Sequence, residues 1–261
     1  MAASSIRLTG ILGATGVTLM LFACNGTSDN DNGGSTINAS ATGIWSGSDS
    51  VSGLGITAFI DSAGQATFIR ADGVQFDGAV QVSGNTLAVT VTGYADFPMA
   101  FSDGSTYGIG TINGTVTTGS TLSATLDFTT NGNTAVSGSW SLTFEALSNN
   151  SSSTSAVSGN YTDSTTGAVL SITSAGALTE QNSNNSCVLN GSISTSDSTH
   201  DIYEVAYSFA DCTGTYATLN GVQFTGLASL NTNSSPAQLT IAVAGASATA
   251  KYALVSTLNG S

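Results

Sequence analysis

Apolar and polar residues alternate with a period of two through most of the chain beyond Gly43. Trp140, Leu142 and Phe144 are interleaved with Ser139, Ser141, Thr143 and Glu145. Leu122, Ala124, Leu126 and Phe128 are interleaved with Ser123, Thr125 and Asp127. Val74, Phe76, Val80 and Val82 share a face around Gly78, and Tyr203, Val205, Tyr207 and Phe209 do the same later. Such runs are strands with one dry and one wet face, and sheets of that kind are antiparallel. Turn signals such as Ser83-Gly84-Asn85, Asn131-Gly132-Asn133 and Asn220-Gly221 separate them.

The pattern predicts eight strands in each of two regions. In the first they fall near 43–48, 55–61, 65–71, 74–83, 86–93, 107–116, 121–129 and 135–147. In the second they fall near 158–162, 168–173, 177–182, 186–195, 202–209, 222–230, 237–244 and 247–257. The run SNNSSSTS at Ser148–Ser155 marks a linker, so the expected division is domain 42–147, linker 148–156 and domain 157–261. The two regions share an order of motifs that reads as a weak internal repeat. Gly43-Ile44-Trp45 matches Gly159-Asn160-Tyr161, and Ser62-Ala63-Gly64 matches Ser174-Ala175-Gly176. Phe76-Asp77-Gly78-Ala79-Val80 matches Leu189-Asn190-Gly191-Ser192-Ile193. The expected fold class is all-β: two tandem small antiparallel β-barrels, or β-sandwiches, after a disordered tether. Closure into barrels would remove sheet edges that a chain so poor in Lys cannot guard by charge. In architecture alone, this resembles the lipocalin-type barrels of bacterial surface and periplasmic lipoproteins.

The first 24 residues have a different character. Leu8 to Cys24 is an apolar run after Arg7, and the polar stretch NGTSDNDNGGST follows it. This is the layout of an export signal. Leu21-Phe22-Ala23-Cys24 resembles the lipobox of bacterial lipoprotein signal peptides. The resemblance implies removal of residues 1–23, acylation of Cys24, and a membrane partnership through the lipid. Each buried methylene contributes about 0.8 kcal/mol, and two or more chains hold stably. Sixteen residues from Leu8 to Ala23, three of them Gly, fall short of the ~20 needed to span a bilayer. Residues 24–41 would then be a lipidated tether. Asn25, in place of the Asp that marks inner-membrane retention, favours the outer membrane. A membrane-spanning barrel is disfavoured, because most of the strands are short and aromatic residues make up 7%.

Composition narrows the partners. The chain has 16 Asp and Glu against 3 Lys and Arg, a net charge of −13. Nucleic acid is therefore not an expected partner. With Cys24 taken by lipid, Cys187 and Cys212 remain as an even pair in an oxidising compartment, and a disulfide is expected between them. It would join the fourth strand of the second region to the segment after the fifth.

Catalytic chemistry finds few residues to carry it. A triad needs His, and His200 is the only one. The glutamates are Glu145, Glu180 and Glu204, with Glu145 and Glu204 on polar strand faces. Asp29-Asn30-Asp31-Asn32-Gly33-Gly34 lacks the closing Glu of an EF-hand loop. No catalytic residue, cofactor or metal is expected. The leading expectation is a non-enzymatic binding or interaction module at the cell envelope, with a protein or small apolar ligand as partner. The alternatives are a lipocalin-like carrier and an enzyme acting on envelope polymers. Interior candidates for a carrier are Phe76, Leu87, Leu126, Trp140 and Phe144, then Tyr203, Tyr207, Phe224 and Tyr252. In eight-stranded barrels of this size such side chains are expected to fill the core.

Overall fold

The computed structural model describes residues 37–181, 186–248 and 250–261. The signal segment, the lipobox and Cys24 lie outside these residues. The described residues contain two closed antiparallel barrels of eight strands each. The first comprises β1 (Gly43–Asp49), β2 (Gly55–Ile60), β3 (Gln65–Arg70), β4 (Gln75–Ser83), β5 (Thr86–Tyr94), β6 (Tyr107–Thr117), β7 (Thr121–Thr130) and β8 (Ala135–Phe144). The second comprises β9 (Gly159–Asp163), β10 (Val169–Ile172), β11 (Ala177–Gln181), β12 (Val188–Thr195), β13 (Tyr203–Ala210), β14 (Gln223–Asn231), β15 (Gln238–Ala246) and β16 (Lys251–Gly260). Each strand pairs with the next, and β8 closes on β1 as β16 closes on β9. Each sheet and each core is complete within residues 37–261, so this part carries its own fold.

The period-two pattern explains the interior. Along β7 the residues are alternately exposed and buried without exception, with Leu122, Ala124, Leu126 and Phe128 inside. Thr121, Ser123, Thr125, Asp127 and Thr129 form the outer row. Most strand ends fall within two residues of the expectation, and two larger differences have a visible cause. The strand expected to run to 147 stops at Phe144, because Ala146–Asn149 turns as a short 3-10 segment that brings the buried Ser148 hydroxyl to the Ile44 N–H. The last strand starts at Lys251 rather than 247, after a turn closed by Ser247 N–H to the Ala250 carbonyl at 2.8 Å.

The repeated motifs occupy matching places. Gly43 and Gly159 take φ of +136° and +150°, which a side chain rarely tolerates. Two residues later, Trp45 and Tyr161 each donate to a carbonyl four residues back, Ala41 at 2.8 Å and Val157 at 3.0 Å. Gly64 and Gly176 end matching hairpins, and their carbonyls accept from Val80 N–H and Ile193 N–H at 2.7 and 2.8 Å. Gly78 and Gly191 sit where a neighbouring strand crosses closely. A Cβ there would lie 2.3 Å from the Thr90 carbonyl oxygen or 2.2 Å from that of Ala206.

The barrels belong to one compact unit and pack side by side. Ile44, Phe59 and Ile69 on the outside of β1 to β3 meet Leu227 and Ala242 on the outside of β14 and β15, with Ile202 beside them. The connection 148–156 is stitched in place. Ser152, buried, donates its hydroxyl to the Asp197 carbonyl at 2.8 Å. The loop from β5 to β6 also reaches across: Phe97 N–H donates to the Ala253 carbonyl at 2.9 Å, and Asp96 Oδ1 accepts from Val255 N–H at 3.2 Å.

Asp201 lies buried between β12 and β13, accepting from the Ser229 hydroxyl at 3.1 Å and Leu230 N–H at 3.2 Å. Burial outweighs these bonds and pushes its carboxyl up to about 7. An unfolded Asp ionises near 3.9, about three units lower. Below that pH both states carry the proton. Between about 4 and 7 the folded carboxyl keeps a proton that the unfolded one has lost, so stability falls across that window and levels off above it. We expect Asp201→Asn to melt about 2–6 °C higher than wild type at pH 8 and within about 1 °C of it at pH 4. Thermal melts followed by circular dichroism check this. Equal destabilisation of the variant at both pH values would contradict it.

Candidate functional site

The inner end of each barrel can be compared position by position through the strand register. In the first barrel Ala66 faces Gly78 and Phe68 faces Phe76. In the second, Leu178 faces Gly191 and Glu180 faces Leu189. Glu180 therefore stands where Phe68 stands, and Leu189 where Phe76 stands. Trp45 faces Phe144, four residues after Trp140. Tyr161 faces Gly260, four residues after Ser256. Ser256 thus takes the place of Trp140.

These exchanges decide the volume. In the first barrel Phe68 and Phe76 pack on Trp140 with ring centres 5.3 and 5.8 Å away. Phe128 joins Phe76 at 5.4 Å, and Phe101 from the loop joins Phe128 at 5.6 Å. This end is filled with rings. In the second barrel Glu180, Ser256 and Leu189 leave a cavity of about 340 Å³. Leu170, Leu178, Ile241 and Leu258 line its depth, and Asp163 and Thr165 stand on its rim. The first hairpin is also shorter here, since β9 has 5 residues and β1 has 7.

Two loops roof the cavity. One runs from β13 to β14 and carries Tyr216 and Leu219. It is tied to the start of β12 by the Cys187–Cys212 disulfide, with S–S 2.04 Å. The other is the β5–β6 loop of the first barrel, whose Phe97 packs edge-on against Tyr216 and Tyr252 at 5.4 and 5.7 Å. The site is thus assembled from both barrels.

Asp96, Asp163 and Glu180 border the cavity. Burial raises the Glu180 carboxyl above its ordinary range, and the charge of Asp163 adds to this. Burial likewise raises Asp96. Tyr207 lies at the floor, and its phenol is pushed well up by burial and then by the charges of Glu180 and Asp96. Perturbed acids in a concave pocket with mixed apolar and polar walls are a recurring mark of a binding or active site.

The sequence-derived candidates distribute as follows. Phe76, Leu87, Leu126 and Trp140 are buried in the first core, with Phe144 packed against it. Tyr203 and Phe224 are buried in the second core, and Tyr252 packs at its edge. Tyr207 is the member of that set that lines the cavity. Glu204 faces solvent, and Glu145 accepts a hydrogen bond from the Ser46 hydroxyl. His200 sits in the β12–β13 loop, where its Nδ1 meets both Asp197 Oδ2 at 2.6 Å and the Thr199 hydroxyl at 3.1 Å. A triad places acid and nucleophile on opposite ring nitrogens, so this cluster is a loop brace. Asp96, Phe97, Asp163 and Ser256 were not singled out by the sequence. The signal that could have found Ser256 is its place in the repeat opposite Trp140.

The disulfide holds a roof loop to the barrel wall. We expect the double substitution Cys187→Ser, Cys212→Ser to remove about 2–4 kcal/mol of stability. Proteolysis should begin within residues 211–222, mapped by mass spectrometry. First cleavage elsewhere, with unchanged melting, would show that the loop does not need the bond. No protein-family model matches the chain. A comparison with curated proteins finds no match either, so the functional reading rests on the geometry of this cavity.

Proposed function

We propose that this protein is a lipid-anchored binding protein of the bacterial cell envelope, which takes a small, largely apolar ligand in the mouth of its second barrel. The observation that carries the reading is the contrast between the barrels. The same architecture closes twice, once with Phe68, Trp140 and Phe76 filling the end, and once with Glu180, Ser256 and Leu189 leaving about 340 Å³. The cavity is walled by Leu and Ile, rimmed by aromatic rings and reached from outside, as small-molecule sites are. The first barrel supplies part of the roof and has the filled core of a structural domain. The lipobox-like Leu21-Phe22-Ala23-Cys24 supports an anchor at Cys24, with the outer membrane favoured by Asn25. The acidic, hydroxyl-rich outer surface offers little to a phosphate backbone.

Two measurements test this. For binding, residues 37–261 are titrated with the neutral fluorophore N-phenyl-1-naphthylamine. Saturable binding near one per chain is expected, weakened about ten-fold or more by Ser256→Trp, which restores the bulk of Trp140. Absence of saturable binding to the wild type would overturn the cavity reading. For anchoring, the whole chain is expressed in a bacterial host fed an alkyne fatty acid. Wild type should carry the label and sediment with membranes, while Cys24→Ala should carry none. An unlabelled wild-type protein would overturn the anchor.

A further inference from the structure

The chemistry of the cavity wall deepens the binding reading, on which this inference rests. Asp96, Asp163 and Glu180 share one cavity, and among the described residues no Lys, Arg or His lines it. Among the described residues the two long cations are engaged elsewhere. Arg70 pairs with Asp72 at 2.8 Å, and Lys251 stands 4.7 Å over the Tyr107 ring. His200 belongs to the opposite end of the barrel, in the β12–β13 loop. The cavity is therefore anionic without a counter-charge of its own. Nor do the acids gather as a metal site: among the described residues no three His, Cys, Asp or Glu side chains stand close enough to hold one ion. Acids spread round a cavity that also has Leu and Ile walls suit a cation with an apolar body of its own.

Tyr207 adds a second, independent observation. Its side chain is 6% exposed and lines the cavity floor, yet its hydroxyl makes no hydrogen bond to any described residue. The hydroxyl therefore opens into the cavity, where it can meet a ligand. At the rim stand the rings of Phe97 and Tyr216, residue types whose ring faces attract ammonium groups.

We propose that the mouth of the second barrel binds a monovalent organic cation with an apolar tail, an alkyl- or arylammonium. Its head lies among Asp96, Asp163 and Glu180, and its tail against Leu178, Leu189 and Ile241. Burying carboxylates without an opposite charge is costly. An incoming ammonium offsets that cost, whereas a carboxylate ligand would add to it. A neutral ligand gains the apolar wall alone.

The test compares three ligands with one tail. Octyltrimethylammonium, octanol and octanoate each displace N-phenyl-1-naphthylamine from residues 37–261. The cation is expected to displace at concentrations about ten-fold below octanol, with octanoate weakest. Glu180→Gln should bring the cation within about three-fold of octanol. Raising ionic strength on the unmodified protein should weaken the cation and spare octanol, which gives a readout that needs no variant. Equal displacement by all three ligands, or an unaltered preference in Glu180→Gln, overturns the cationic assignment and leaves the cavity reading intact. Failure of the fluorophore to bind at all overturns the cavity reading and this assignment with it.

Discussion

Closing eight strands into a barrel encloses an interior whose size is set by strand number and tilt, and the inward side chains then decide how much of it is left. Both halves of this protein accept that constraint in the same way along most of their length. Leucines, valines and isoleucines from alternate positions meet at the axis, and the first-strand aromatics Trp45 and Tyr161 are fixed by matching bonds to a preceding carbonyl. The halves part at one end. Three inward positions hold Phe68, Phe76 and Trp140 in the first barrel and Glu180, Leu189 and Ser256 in the second. A difference of three aromatic side chains between otherwise similar shells leaves a cavity, because the hydrogen-bonded strands cannot move inward to fill it.

The cavity also depends on how the barrels are joined. The apolar outer patch around Ile44, Phe59, Leu227 and Ala242 holds them side by side. That placement lets the β5–β6 loop of the first barrel lay Asp96 and Phe97 over the mouth of the second. The disulfide secures the other roof loop from within the second barrel. A filled barrel and an open one thus divide the work. One is a rigid platform that lends a loop, and the other carries the space.

Electrostatics run through the same design. The chain is strongly acidic, and several of its carboxylates cap turns, as Asp163 does by accepting Thr165 N–H at 2.7 Å. Those turned inward are different. Asp201 is held within the packed loop end of the second barrel, and burial raises its pKa. Glu180 opens into the cavity, where a ligand can reach it. Burial without a charge partner is costly in both places, and it is the cavity location that makes Glu180 available for recognition.

The alternation of residues along β7, β8 and β13 was enough to place strands, faces and the all-β class, since a period of two admits one backbone geometry. The pairing of Cys187 with Cys212 followed from counting, and the matching glycines were visible as motifs before their equivalence in space. Barrel rather than sandwich was decided by the pairing of first strand with last, which involves residues about 100 apart and leaves no local trace. The cavity was hidden for the same reason. Glu180 reads locally as one polar residue in the run Thr-Glu-Gln, and Asp96 belongs to a loop of the other domain. Local sequence sets which way a side chain points relative to its own strand. Whether what it points at is another ring, a roof loop or empty space is settled only when distant strands close around a shared volume.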